Sequence, residues 1–275
     1  MIFPKLSFLT AILTLIITAQ PVLQPIATAD QPPIYTSQQI ATNKLPKNVF
    51  LLIQKDIQKR FRVSPKTLQL SNAKPSTWDG CLGLAKPDRF CTQIAISGWQ
   101  VIVSNKSQNR FWVYHTNENG QQLAYNTTAS LPRNAKIPTP GFVDKKNIVP
   151  TSSDSVIFQS AQTTGNSRGY YAWELTSDGV VTRRLITPNP GKAEKIKQLS
   201  QQQVKQFVET LNKNSFSHFN GLGYLNMNAV AADAVSYQLS YGGIITEYTD
   251  TSSDQLPTKL NRVISAWDKL IQTAN

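Results

Sequence analysis

Two cysteines, two histidines and a few scattered carboxylates are the side chains of this 275-residue chain with the types to do covalent, acid–base or metal chemistry. Nucleophilic catalysis needs a nucleophile with a base in reach, and the chain has no Gly-x-Ser-x-Gly elbow. His115 sits in an alternating stretch near a turn, and His218 follows a helical pattern in Ser217-His218-Phe219-Asn220. A single imidazole in either place reads as a packing or surface residue. Glycoside cleavage uses two carboxylates, but Asp79, Asp88, Glu174, Asp178, Asp233 and Glu247 are far apart in the chain. Asp178 and Asp233 also have turn or capping roles open to them. No HExxH, no CxxC pair and no run of alternating acids points to a metal. The expectation is no catalytic, cofactor-binding or metal-ligating set.

The start of the chain bears on the cysteines. One basic residue, Lys5, precedes an uncharged apolar run over 6–19, and the small-residue site Ala27-Thr28-Ala29 comes next. Basic, apolar and A-x-A segments in that order are the secretory signal pattern. The apolar run is short against the ~20 residues of a membrane-spanning helix, and Pro21 and Pro25 break the stretch between it and Ala27. Cleavage after Ala29 is expected, with delivery to the periplasm, a thylakoid lumen or the exterior, and no transmembrane segment thereafter. Cys81 and Cys91 are the only cysteines. In an exported chain such a pair fits one disulfide closing a small loop.

That loop admits two readings. As a pinned surface element it would present Trp78, Asp79, Leu82 and Leu84 to a partner, with its ordering cost already met. As scaffold, Gly80 and Gly83 supply turns while Trp78 and Leu84 form a lid on a sheet. Charge gives a second candidate surface. The formal charge is +12, which favours anionic partners such as an envelope polymer or an acidic protein. Arg183, Arg184, Lys192, Lys195 and Lys197 are the candidate polyanion contacts. The bland reading is a solvated face that keeps the protein soluble. An exported protein rarely meets nucleic acid, so none is expected as a partner. Asn105-Lys106-Ser107 and Asn126-Thr127-Thr128 match the glycan acceptor pattern, which matters only in a eukaryotic secretory pathway.

The elements that must hold these residues are read from periodicity. Residues 30–44 read as a flexible lead. Val49, Ile53, Ile57 and Phe61 recur every four residues and predict a helix over 46–61. Alternation predicts strands at 68–70, 93–103 and 110–115, the last paired with 121–125 across Asn119-Gly120. These make a first module over 45–125. Prolines 132, 138, 140 and 150 mark 126–154 as a Pro-rich linker. A second module over 155–275 reads as strands, helix, hairpin, helix. Asp178-Gly179 and Gly242-Gly243 are its turns, and Ser200 with Gln203 forms a capping box. Pro257 opens the last helix. The fold class is α+β, each module an antiparallel sheet with one or two packed helices.

The run Trp78-Asp79-Gly80-Cys81-Leu82-Gly83-Leu84, then Cys91, Gly98-Trp99 and the hairpin with Trp112, Tyr114, His115 and Gly120, resembles a known pattern. It is similar over about 46–125 to a small secreted domain of bacterial, notably cyanobacterial, proteins with no assigned function. The second module is more loosely similar to another uncharacterised bacterial type, through Asp178-Gly179, 211–216 and the stretch from Tyr224 to Asp233. The resemblance implies an α+β domain outside the cytoplasm and supplies neither an activity nor active residues. The functional expectation is an exported, non-enzymatic binding or interaction protein. The alternatives are a protease-inhibitor-like module acting through the Cys81–Cys91 loop and a cell-wall-directed hydrolase.

Overall fold

Val49, Ile53 and Ile57 form the buried stripe of α1 (Lys47–Phe61). Arg62, in the left-handed region at φ 58°, ends the helix with its N–H on the carbonyl of Gln58. The computed structural model describes residues 45–86, 90–133, 139–164, 170–187, 190–225 and 234–272. The expected signal, its cleavage point and the lead fall within 1–44, and Asp88 and Asp233 are also outside the described residues.

The stripe of α1 rests on a four-stranded antiparallel sheet ordered β1-β2-β3-β4. Its strands are β1 (Leu68–Trp78), β2 (Ile96–Asn105), β3 (Phe111–Asn117) and β4 (Leu123–Tyr125). The two-residue period of a strand sorts its residues between two cores. Val101, Val103, Trp112 and Tyr114 face α1. Ile102, Phe111 and Val113 face the other way and join the core of the larger sheet. Pro75 lies on β1, an edge strand of the sheet, where a missing N–H is tolerated.

The larger sheet has the order β5-β10-β12-β11-β6-β7-β8-β9. In chain order its strands are β5 (Thr139–Phe142), β6 (Val156–Thr164), β7 (Tyr170–Thr176), β8 (Val180–Thr187), β9 (Glu194–Gln198), β10 (Leu222–Leu225), β11 (Ser236–Tyr241) and β12 (Ile244–Thr249). Neighbouring strands are antiparallel except β10 and β12, which run parallel. One face packs on α2 (Gln201–Lys213) and α3 (Thr258–Gln272). The capping box of Ser200 and Gln203 opens α2 as expected, each side chain bonding the other residue's backbone N–H. Phe158 sits between the helices, its ring 4.9 Å from Phe207 and 4.7 Å from Trp267. Burying each such ring contributes roughly 2–3 kcal/mol.

The architecture is therefore α+β. The stretch 126–154, expected as a linker, contains β5, which pairs with β10 from Leu222↔Phe142 to Leu225↔Thr139. It also contains the buried residues Asn126, Thr128, Ala129 and Ser130. The described residues all belong to one compact unit.

The face of the larger sheet away from α2 and α3 is polar and covered. Gln159, Glu174, Gln238 and Glu247 are buried there on four strands, with Arg184 on a fifth. An extended strap over 147–152 lies across them. The Gln159 amide donates to the Pro150 carbonyl at 3.1 Å, and Arg184 donates to the same carbonyl at 2.9 Å. Gln238 accepts from the Val149 N–H at 2.8 Å and donates to the Asn147 carbonyl at 3.2 Å. Glu174 accepts the Ser152 N–H at 2.9 Å and the Ser152 hydroxyl. These bonds anchor a segment that has no ladder of its own.

Candidate functional site

Cys81 and Cys91 form a disulfide with their Cα atoms 5.4 Å apart. The Asp79 carboxylate accepts from the N–H groups of Cys81 at 3.0 Å and Gly83 at 2.8 Å, which folds the loop back on itself. Gly83 has φ 70°, and a Cβ there would lie 2.8 Å from the Trp78 ring, so only glycine lets the loop close this far. The Trp78 ring stacks on His115 with centroids 4.1 Å apart, and its indole N–H donates to the Thr116 carbonyl at 3.1 Å. Of the four residues expected to face a partner, Leu82 is buried, and Trp78, Asp79 and Leu84 are half-buried. Among the described residues, the exposed apolar side chains here are Phe90, inside the loop, and Ile94, just past Cys91. The geometry favours the lid over the presented epitope. Asp79 and the two sulfurs lie within 4.8 Å of one another, but a cystine provides no thiolate for a metal.

The lid is held by both histidines. His115 Nδ1 donates to the Leu82 carbonyl at 2.7 Å, which leaves Nε2 as an acceptor facing the amides of Gln100 at 3.3 Å and Asn126 at 3.5 Å. A second proton on Nε2 would oppose two donors. Burial is the main reason its pKa falls to about 3, and His218 and Lys74 act in the same direction. His218 Nε2 reaches the Ala85 carbonyl at 2.9 Å and Nδ1 the Thr128 hydroxyl at 3.2 Å; burial lowers its pKa too. Asn126 ties the histidines together, donating to the His218 carbonyl at 2.8 Å. It is fully buried, which removes it as a glycan acceptor. Neither histidine has a carboxylate among its hydrogen-bond partners in the described residues. Among the described residues the imidazoles serve as clasps on the lid.

Beside this cluster a half-open cleft of about 540 Å³ lies along the β1–β2 ribbon. Lys74, Ser76 and Trp78 project into it from one face of β1, opposite Gln100 and Gly98 on β2. Asn220, from the turn before β10, and Lys145, from the segment after β5, close one end; Glu118 lies on the lining as well. Gln100 links ribbon to turn by donating to the Asn220 carbonyl at 3.2 Å. Lys74 is half-buried, donates to the Gly221 carbonyl at 3.2 Å and lies 4.6 Å over the Phe142 ring. Desolvation, and then Lys145, lower its pKa to about 8. No described carboxylate forms an ion pair with Lys74 or Lys145. Gly221, at φ 70°, brings its backbone so near that a Cβ would stand 2.2 Å from Lys74 Nζ.

The other charged candidates are dispersed. Arg184 is bound inward to the fully buried Glu174 at 3.2 Å. Arg183 projects to the opposite face, pairs with Glu194 and lies over Tyr171 and Trp173. Lys197 donates to the Leu270 carbonyl, while Lys192 and Lys195 are exposed. The five do not form one basic patch, because adjacent strand residues point to opposite faces. Glu174 and Glu247 share the polar face but stand three strand spacings apart, roughly 14 Å, beyond the roughly 5–9.5 Å used in glycoside cleavage. Burial raises the pKa of Glu247 against the opposing bond from Gln238. Asp178 keeps its turn role, bonded to Thr176, which lowers its pKa.

Sequence reasoning missed Lys74, Gln100, Asn126 and Asn220 as site residues. The available signal was alternation on β1, which puts Lys74 and Trp78 on one face. Residues 51–125 match a domain of unknown function (DUF8738). That span holds most of α1, the four-stranded sheet, the cystine loop and the β1–β2 wall of the cleft. It does not include Lys145, His218 or Asn220. No curated protein and no solved structure matches the chain.

Proposed function

We propose that this chain is an exported binding protein of the periplasm, envelope or exterior, and that the cleft along β1 and β2 is its ligand seat. The cleft itself carries the reading. At about 540 Å³ it falls in the size range of small-molecule sites, roughly 300–1,000 Å³. It combines an indole wall with converging amide and ammonium groups, and its floor is fixed by the His115–Gln100–Asn220 contacts. Export is supported by the signal pattern over 1–29 and by the disulfide, which persists in oxidising compartments. A described helix long and apolar enough to cross a membrane is absent. The binding reading is preferred to a hydrolase because the described histidines and carboxylates do not converge on the cleft as an acid–base pair.

The test is a thermal-shift screen of the purified protein against neutral sugars, amino acids, nucleosides and small anions. Ser76→Trp, which fills the cleft from β1, is the comparison. Stabilisation by a panel member that disappears in Ser76→Trp is the expected result. Stabilisation by none, or equal stabilisation of both proteins, would overturn the assignment. A protease-inhibitor-like action of the cystine loop has one observation in its favour, the fully exposed Phe90 beside Cys91. Phe90→Ala would then abolish inhibition of a secreted protease without altering the thermal-shift panel.

A further inference from the structure

We infer that the ligand of this cleft carries an oxyanion, a phosphate or carboxylate group, that seats between the ammonium groups of Lys74 and Lys145 with the Gln100 and Asn220 side of the cleft beside it. The inference rests on the cleft being the binding site. Three observations on different elements support it. Lys74 is half-buried on β1, where its ammonium donates to the carbonyl of Gly221 at 3.2 Å. Lys145, an exposed lysine, lines the same cleft from a separate segment. Neither has a described carboxylate partner.

Taking an ammonium out of water is unfavourable unless a counter-charge or a set of acceptors replaces the water. One carbonyl and the face of Phe142 meet that demand in part. A second ammonium nearby increases the deficit. An oxyanion between the two lysines removes it, gaining charge-assisted hydrogen bonds that are shorter and stronger than neutral ones. The seat is also selective. Glu118 on the same lining disfavours a ligand that is anionic along its whole length, so the anionic group is expected at the Lys74–Lys145 end alone.

The experiment tracks the Lys74 side chain by NMR in the full chain made with isotope-labelled lysine. It is titrated with pH in chloride, inorganic phosphate and succinate at matched ionic strength. The expected result is a rise in the Lys74 pKa from about 8 by about one unit or more with phosphate or succinate. A response to phosphate alone identifies a phosphate group, and a response to succinate alone a carboxylate. Lys145→Gln should weaken the apparent affinity about tenfold, and in Lys74→Met the Lys145 signal should no longer respond to either anion. Lys145→Gln serves as the folded comparison if Lys74→Met fails to accumulate. An unmoved Lys74 in both anions, or an equal rise in Lys145→Gln, overturns the oxyanion seat. The two proposals fail separately. Neutral panel members that stabilise only the open cleft, with Lys74 unmoved by anions, leave the binding assignment standing and remove this one.

Discussion

At the scale of single residues, the two histidines make the folded state sensitive to acid. Unfolded imidazoles take up protons near the ordinary value of about 6.5, whereas His115 and His218 in the fold resist them. The unfolded state therefore binds more protons in this window, and stability falls as pH drops below about 6.5. Urea denaturation between about pH 7.5 and pH 5 should show this loss, while His115→Gln, without a titrating ring, should show a shallower one. An unchanged slope would mean that His115 is not the group responsible. Gly221→Ala is a second residue-level test. The left-handed backbone alone makes it about 1–2 kcal/mol less stable, and its Cβ displaces the Lys74 ammonium. Calorimetry should report the first effect, and loss of the anion response of Lys74 the second.

Among the elements, the strap over 147–152 depends on the polar row beneath it. Glu174 accepts from Ser152, Gln159 and Arg184. Removing it leaves a nearly buried guanidinium without its counter-charge, so Glu174→Ala should cost about 3–5 kcal/mol. Limited proteolysis should then cut within 144–155, and Glu174→Leu combined with Arg184→Met should recover most of the loss. If cleavage stays away from the strap, the row is not what holds it. The elements also show how far local pattern reaches. α1, the hairpins and the α2 cap were legible because their signals repeat within a few residues. β5 and β10 were not. They are four residues long, contain Pro or Gly, and their pairing joins 139–142 to 222–225. The cleft was hidden for the same reason, since Lys74, Lys145 and Asn220 meet only after both sheets are assembled. The histidines looked isolated because the chain between them had first to bring Asn126 against both.

For the whole molecule, the disulfide and the histidines hold the same lid by different means, one covalent and one through hydrogen bonds. Replacing both cysteines with serine should lower stability by about 2–3 kcal/mol on the chain-entropy estimate, measured by thermal denaturation. The loop should still close on His115, because the Leu82 carbonyl bond does not depend on the sulfurs. The sheet borders have a further consequence, for behaviour at high concentration. A strand with an unpaired flank is a template on which a second molecule adds and fibres grow. Each of the four outermost strands in the described residues carries a deterrent: Pro75 on β1, the three-residue length of β4, Pro140 on β5, and Lys195 with Lys197 on β9. The lysines of β9 thus gain a purpose apart from any polyanion. Changing both to valine should leave the protein folded and soluble when dilute and seed insoluble polymer when concentrated, which light scattering would detect; the same concentrations of the parent chain should stay clear.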